Sequence, residues 1–302
     1  MDNLHDVFSG LKSSVKGLRR FSVFLILTGI GLIVGTFLLR DPDESLGNIR
    51  IFMFLPGLGC FIIAIILRCI ASVKAYKLQI LVTDNVTAKV LQEAFELTEY
   101  LPGRAVAHDI IRKSDLIKRW DDRSGSDLVR GRYKGCNFEF SDIELTETIT
   151  TVDHEGNTTV TQNELFKGQW IVLQTKTEIP GELRLREKAR GERLKSNIET
   201  ESIAFNNKFQ IEAREGKETF FVLTPLFMEQ ITEASDAAKG RIYMYFSERQ
   251  VQIAIYNSRN LFELSSRKKD HREMTSLLEY QRNEVKYITD IMDIILRNEK
   301  LF

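Results

Sequence analysis

The side chains best suited to acid–base or metal chemistry are few and scattered in this sequence. The four histidines are His5, His108, His154 and His271, and none stands at a metal-binding spacing from a cysteine or a carboxylate. His108 is followed directly by Asp109, and a pair of this kind can act as a general base. The pair is equally typical of a solvated surface, which is the interpretation we favour.

A second candidate for chemistry is a group of three carboxylates, Asp121, Asp122 and Asp127, which together could supply oxygen ligands to a hard cation. Their spacing is not that of an EF-hand loop. We therefore interpret residues 121–127 as a polar loop that contains Gly and Ser, without a metal.

The one cysteine outside the apolar N-terminal region is Cys136, which alternates with Phe138 and Phe140. This alternation predicts a buried, unreactive thiol on a strand. The sequence contains neither a Walker phosphate loop nor a Gly-x-Ser-x-Gly elbow. We therefore predict no catalytic residue, no cofactor and no metal.

Two uncharged, apolar runs near the N-terminus predict a transmembrane hairpin over residues 21–67. The first run, 21–39, is nineteen residues long, which as a helix spans about 28 Å, close to the thickness of a bilayer core. The second run, 51–67, contains Pro56, which membrane helices tolerate. Residues 1–20 before the hairpin are predicted as either an amphipathic helix on the inner leaflet or a frayed terminus.

The distribution of Lys and Arg predicts how the hairpin is oriented. Basic residues precede the first run and follow the second, whereas the link between them carries only Arg40 and Arg50, at its two edges. The positive-inside rule then places both termini in the cytoplasm, in a multi-pass inner-membrane protein. A cleaved signal peptide is the alternative for the first run, and the second run directly behind it argues against that alternative.

Small residues four positions apart occur in both predicted spans. They are Gly31 and Gly35 in the first span, and Cys60 and Ala64 in the second. Such pairs allow two helices to approach closely. They predict packing within the hairpin, with a homodimer contact through the membrane helices as the alternative.

The overall composition excludes some classes of protein. The 302 residues contain 42 Lys and Arg against 42 Asp and Glu, so the formal net charge is zero. A nucleic-acid binder that relies on bulk positive charge is therefore excluded. Three cysteines in a chain of this length also exclude a disulfide scaffold.

After the hairpin, the sequence predicts an α+β protein with a mostly antiparallel sheet, flanking helices and a long C-terminal helix. We divide it into a helical connector over 68–127, a sheet domain over 128–265 and a C-terminal helix over 266–302. Lys134-Gly135 between two alternating segments predicts a hairpin, and a change of parity after Phe140 predicts a bulge near Ser141-Asp142. Residues 219–223 are predicted as a strand, and Thr224-Pro225 as the start of a helix.

A Thr-rich segment predicts a long, solvated hairpin that protrudes from the sheet. Its arms, 146–152 and 158–165, contain few large apolar residues. We predict that this hairpin contacts a partner through threonines on its two arms, and the alternative is an insertion without a role. The threonines are Thr148, Thr150, Thr159 and Thr161.

The order of several short motifs resembles the bacterial family called domain of unknown function 3137. The motifs are Ser126-Asp127-Leu128-Val129-Arg130-Gly131, Phe138-Glu139-Phe140-Ser141, Leu165-Phe166-Lys167-Gly168, Phe209-Gln210-Ile211 after Phe205, Leu223-Thr224-Pro225 with Met228-Glu229, Ile253-Ala254-Ile255 and Asn260-Leu261-Phe262-Glu263. The resemblance covers residues 20–265, including the two spans. It implies a membrane protein without an assigned activity, and a LemA-like membrane protein as a partner.

Two classes of function remain for the soluble part. The first is a membrane-anchored interaction or regulatory module that binds a membrane protein, and this is the one we favour because no catalytic motif is present. The alternative is a membrane-bound hydrolase or lipid-handling enzyme, whose site would be assembled from distant residues.

Overall fold

A computed structural model describes residues 2–38, 47–152, 158–192, 194–214, 216–262 and 274–302. The chain divides into two compact units, Met1–Asn85 and Val86–Phe302. The first unit is helical, and the second contains a six-stranded antiparallel sheet with helices on it. The predicted α+β class is therefore confirmed.

Two long helices carry the apolar runs. Helix α1 is Asp2–Leu38 and helix α2 is Gly47–Ala94, and the parts long and apolar enough to cross a membrane are Ser13–Thr36 and Phe54–Tyr76. The residues before the first run are thus part of α1 and form no separate element. Helix α2 also continues past the predicted end of the second span at Leu67, because no Gly or Pro follows Gly59 before Pro102.

Buried residues recur every seven positions along both helices of the first unit. They are Val15, Ser22 and Gly29 on α1, and Gly57, Ala64 and Ala71 on α2. A Cβ atom on Gly29 would lie 3.0 Å from the carbonyl oxygen of Gly57, so the two backbones approach closely there. This spacing is typical of antiparallel helices that pack along one narrow seam of small residues.

The sheet of the second unit follows the chain in a meander, and its fourth strand is central. The strands are β1 Glu96–Leu101, β2 Asp122–Tyr133, β3 Cys136–Val152, β4 Thr158–Glu187, β5 Phe209–Ala213 and β6 Arg241–Tyr256. They pair in the order β1-β2-β3-β4-β5, and β6 also pairs with β4. The predicted turn at Lys134-Gly135 joins β2 to β3, and both of its residues have positive φ, as a two-residue hairpin requires.

In the part of the second unit that the structure describes, five helices accompany the sheet. They are α3 His108–Ser114, α4 Ile203–Lys208, α5 Lys217–Val222, α6 Pro225–Ala237 and α7 Met274–Leu296. The predicted start of α6 is confirmed, because the Thr224 hydroxyl accepts a hydrogen bond from the Phe227 backbone. The strand predicted over 219–223 is wrong, since most of that segment is α5. The loop predicted over 121–127 is wrong as well, since β2 begins at Asp122.

Both faces of the sheet are covered, and each cover encloses its own core. The first core lies beneath α6, α7 and the end of α2 that includes Val90 and Leu91. The second lies beneath α3 and the loops around it, and it is built around Trp120 and Trp170. Alternate residues of a strand point to opposite faces of the sheet. When both faces are covered, even-numbered and odd-numbered side chains of one strand are therefore both buried.

The bulge predicted in β3 is wrong, because the change of parity after Phe140 comes from the two cores on opposite faces of the sheet. Phe138 and Phe140 face the first core, and Ile143 and Leu145 face the second. Strand β3 therefore keeps an unbroken register with β4 from Phe138 to Leu145. The irregularity lies opposite Ser141 in β2, between Ser126 and Val129.

A fragment over residues 75–302 is expected to fold without the membrane hairpin, because it retains Val90, Leu91 and Phe95 of the first core. A fragment that begins at residue 96 loses these three side chains. Burial of each contributes about 1.5–3 kcal/mol, which together is a large share of a typical stability of about 5–15 kcal/mol. Circular dichroism and thermal unfolding of the two fragments check this. Equal stability of both would contradict the assignment of α2 to this core.

Candidate functional site

The ends of β3 and β4 leave the body of the sheet as a two-stranded ribbon, which we define as Glu147–Val152 with Thr158–Asn163. The last residue of β3 that pairs with β2 is Thr146, and β6 pairs with β4 only from Gly168 onward. Among the described strands, β3 within the ribbon pairs only with β4, in register from Glu147 to Val152. Six pairs at about 3.4 Å each give a projection of about 20 Å. The predicted Thr-rich hairpin is therefore present.

The ribbon exposes apolar side chains on both of its faces. Val152 and Val160 are 62% and 63% exposed, and Ile149 is 42% exposed. Thr150 pairs with Val160, and Ile149 pairs with Thr161. Because directly paired residues share a face and alternate along each strand, the two valines lie on one face and Ile149 on the other.

The same alternation places the predicted threonines on different faces. Thr148 and Thr150 lie on the face of the two valines, whereas Thr159 and Thr161 lie on the face of Ile149. The four threonines therefore form no single patch. The exposed apolar side chains beside them were not identified in the sequence, where β-branched residues in a Thr-rich arm pointed only to strand formation.

Asp121 closes the edge of β3 where the ribbon begins. Its carboxylate accepts hydrogen bonds from the Thr148 backbone and hydroxyl, and its backbone N–H donates to the Thr146 carbonyl. The backbone groups of Thr146 and Thr148 thus point away from β4. By strand alternation, those of Thr150 and Val152 point the same way, toward an edge that no described strand covers.

The small residues predicted to pack within the membrane hairpin differ in how far they are buried. Ala64 is fully buried, and Gly35 and Cys60 are half-buried. Gly31 is exposed, and a Cβ atom there would meet nothing within 4 Å. The close approach between helices occurs instead at Gly29 and Gly57.

The candidate base pair His108 and Asp109 lies on the surface at the start of α3. The His108 Nδ1 atom is 3.2 Å from the Asp109 Oδ1 atom, and the two side chains are 49% and 100% exposed. The imidazole ring packs edge-on against Trp120. His154 and His271 lie outside the described residues.

The three carboxylates considered for a cation are directed to different partners. Asp121 binds Thr148, Asp122 binds the backbone of Arg123, and Asp127 accepts hydrogen bonds from Tyr100 and Ser126. Among the described residues, no group of three His, Cys, Asp or Glu side chains stands close enough to hold a metal ion.

Cys136 is buried on β3, and the backbone carbonyls of Asn137 and Gln174 are alternative acceptors for its single S–H group. Burial raises the pKa of this thiol to about 11. A thiol with this pKa remains protonated near neutral pH and is a poor nucleophile.

A buried polar network connects the middle of β3 to the segment after β6. The Asp142 carboxylate accepts hydrogen bonds from the Gln169 side chain and from the Leu261 backbone, at 3.1 and 2.8 Å. Gln169 in turn accepts from Asn257 at 2.7 Å. Burial is the main cause that raises the pKa of Asp142, to about 8, and the nearby carboxylates Asp127 and Glu284 raise it further.

The sequence did not lead us to predict this network, although it contains a signal for it. Asp142 is a charged residue between apolar strand positions, and such a residue is expected to need a buried partner. The network joins β3 and β4 to the segment after β6.

A groove of about 780 Å³ lies on the second sheet face beside Ile110 of α3. Of its charged groups, Arg130 binds Glu139 at 2.9 Å and Glu99 at 3.1 Å, and Glu248 binds Lys113 at 2.6 Å. Arg249 donates a hydrogen bond to the backbone carbonyl of Lys176.

Comparisons with known proteins give one family and one solved structure. The sequence model of a family described as "Protein of unknown function (DUF3137)" matches residues 164–296. The solved structure is the crystal structure of the mycobacterial trehalose monomycolate transport factor A, TtfA, at 12% identity and a TM-score of 0.35, covering 71% of this chain and 96% of that chain. At that TM-score the likeness carries no argument. A comparison with curated proteins finds no significant match.

Proposed function

With membership of the domain of unknown function 3137 family supported by the match over residues 164–296, we propose that this chain is a membrane-anchored interaction module. In this proposal α1 and α2 cross the inner membrane with both termini in the cytoplasm. The second unit then binds another membrane protein through the ribbon. The observation that carries the proposal is the ribbon itself, which has exposed apolar side chains and an uncovered edge.

Anchoring is supported by the surface of the two long helices. Only 11% and 17% of the residues in the two apolar windows are buried, whereas the core helix of a soluble protein is mostly buried. The large apolar side chains that remain exposed on them are Phe21, Val23, Phe24, Leu27, Ile30, Val34, Phe54, Leu55, Leu58, Ile62, Ile63, Ile65, Ile66, Ile70, Val73 and Tyr76. A surface of this kind fits lipid.

Partner binding is supported by the energetics of the ribbon. An isolated two-stranded ribbon is marginally stable in water, and exposed Ile149, Val152 and Val160 gain little while solvated. A third strand along the edge at Thr150 and Val152 would satisfy the outward backbone groups and cover apolar surface. Confinement to the membrane raises the effective concentration of any partner in the same membrane. The partner expected from the family resemblance is a LemA-like membrane protein.

The test is photo-crosslinking from the ribbon in native membranes. We expect a benzophenone side chain at Val160 of the full chain to form an adduct with one membrane protein, identified by mass spectrometry. Thr150→Pro removes an outward N–H that β4 does not use, so the ribbon persists while strand addition is weakened. The adduct should then fall by about tenfold, which corresponds to about 1.4 kcal/mol.

Two controls make the result specific to the edge. Thr150→Val keeps the backbone N–H and should leave the yield of the adduct unchanged. A benzophenone at Ile203, which is 76% exposed on α4, should not capture the same protein. An adduct that Thr150→Pro does not reduce, or that forms equally from Ile203, would remove the ribbon as the contact.

A further inference from the structure

Five basic side chains near one end of the helix pair have no partner in the described chain. Lys16, Arg19 and Arg20 on α1 and Arg68 and Lys74 on α2 are all exposed. Among the residues that the structure describes, none of the five makes an ion pair. In the second unit, by contrast, Arg and Lys side chains form ion pairs such as Arg130 with Glu139.

The packing of α1 against α2 gathers four of these charges at one height. Gly29 lies against Gly57 in an antiparallel pair, and the buried residues repeat every seven positions from there, so Ala64 falls level with Ser22. The same relation places Arg68 level with position 18 of α1. Lys16, Arg19, Arg20 and Arg68 therefore lie within about 6 Å along the helix axis, at a rise of about 1.5 Å per residue.

The three basic residues of α1 also share one side of that helix. At about 100° per residue, Lys16, Arg19 and Arg20 fall within an arc of about 100°. Val15 and Ser22, which are buried, mark a different direction. Arg19 is turned about 50° from the seam between the helices, and Lys16 and Arg20 are turned further from the seam, on the same side of α1. We call these three residues and Arg68 the cationic cluster.

Charges in the cationic cluster lie in the end turns of the two apolar segments, outside the uncharged runs 21–39 and 51–67. They are within about 12 Å of the nearer segment ends, Ser13 and Tyr76. The sequence has no Asp or Glu from residue 7 to 40 or from residue 47 to 83. No acidic side chain of these stretches can neutralise the cluster, and unpaired Lys and Arg side chains at the membrane surface are attracted to anionic headgroups.

We infer that the cationic cluster binds the headgroup phosphates of anionic phospholipids, an inference that rests on the proposed membrane anchoring. The depth of the cluster matches the headgroup region at the end of a span, where Lys and Arg side chains extend toward phosphate. Three of its four members are arginines, whose planar guanidinium groups bind phosphate through two parallel hydrogen bonds. Because Arg19 lies on α1 and Arg68 lies on α2, one lipid headgroup can contact both helices across the seam.

Native mass spectrometry of the full chain in detergent tests this inference with two lipids that differ in headgroup charge. Phosphatidylglycerol is expected to remain bound about tenfold more than phosphatidylcholine at the same concentration. The triple variant Arg19→Gln, Arg20→Gln, Arg68→Gln should reduce bound phosphatidylglycerol to the level of phosphatidylcholine. The variant keeps good helix formers, so α1 and α2 are expected to persist.

The matched control removes the same number of charges from exposed positions of the second unit, as Arg190→Gln, Lys195→Gln, Arg214→Gln. It should retain phosphatidylglycerol like the unaltered chain. Equal retention of the two lipids, or unchanged retention by the triple variant, would overturn the inference. Displacement of the lipid by excess inorganic phosphate would overturn its assignment to lipid.

Failure of this inference can be told apart from failure of the proposed function. A chain that dissolves from cell membranes without detergent would overturn both, because no anchor would exist. A chain that needs detergent for extraction but holds both lipids equally would overturn the lipid inference alone. The adduct from Val160 depends on the ribbon and is measured independently of either result.

Discussion

Replacing Gly168 by alanine is expected to unfold the second unit. A Cβ atom at this position would lie 1.9 Å from the carbonyl oxygen of Ile255 and 3.2 Å from the backbone nitrogen of Asn257. Both atoms belong to the backbone at the end of β6 or just after it. The steric clash can therefore be relieved only if the pairing of β4 with β6 opens. We expect a loss of about 4 kcal/mol or more, which is exceptional for one substitution and comparable to the stability of many domains.

The measurement is thermal unfolding of the full chain in detergent, followed by near-ultraviolet circular dichroism. Gly103→Ala is the matched control, because a Cβ atom there meets nothing within 4 Å. It should change the midpoint of unfolding little. A Gly168→Ala protein within about 1 kcal/mol of the unaltered chain would show that β6 can shift, against the close pairing described above.

The free energy of unfolding is expected to fall as the pH rises from about 5 to 8, because Asp142 loses its proton at a higher pH in the folded protein than in the unfolded chain. The ordinary pKa of this carboxyl is 3.8, and in the folded protein burial raises the pKa to about 8. Between these values the unfolded chain ionises while the folded chain keeps the proton. The contribution of Asp142 is therefore complete below pH 4 and is lost as the pH rises through 8, at up to about 1.4 kcal/mol per pH unit.

Asp142→Asn isolates this effect, because asparagine does not titrate. The variant loses one acceptor for the Leu261 or Gln169 N–H group, so it should be less stable at pH 5 by about 1–3 kcal/mol. The difference should shrink as the pH rises and reverse as it approaches 8, because the unaltered chain loses up to about 4 kcal/mol over these three pH units. Asp109→Asn, whose side chain is fully exposed, is the control and should follow the unaltered chain. Parallel curves for Asp142→Asn and the unaltered chain would contradict the proposed titration.

Elements whose signals are local could be predicted from the sequence. The turn at Lys134-Gly135 joins neighbouring strands, and Thr224-Pro225 caps α6 through an adjacent backbone group. Helix α5 was misread because it has only six residues, and its Thr and Phe residues have high strand propensity. Strand β1 was missed because its residues, Glu96–Leu101, lack a clear alternation and gain their order from β2.

Features that join distant parts of the chain could not be predicted in this way. The second core depends on α3 lying across strands far along the sequence, so β3 alone could not show that both of its faces are buried. The arms of the ribbon were recognisable from their Thr content. The contact of Asp121 with Thr148 was not, because it is set by where β2 ends against β3.

The position of β6 also determines when the sheet can be completed on the ribosome. Its pairs with β4 join residues 57 positions apart at Arg186 and Tyr243, and 88 apart at Gly168 and Tyr256. During synthesis, β1 to β4 are made long before this strand, so β4 waits with one unpaired edge. A nascent or prematurely terminated chain that ends before Arg241 presents this edge to other chains, and is expected to aggregate more readily than the finished protein.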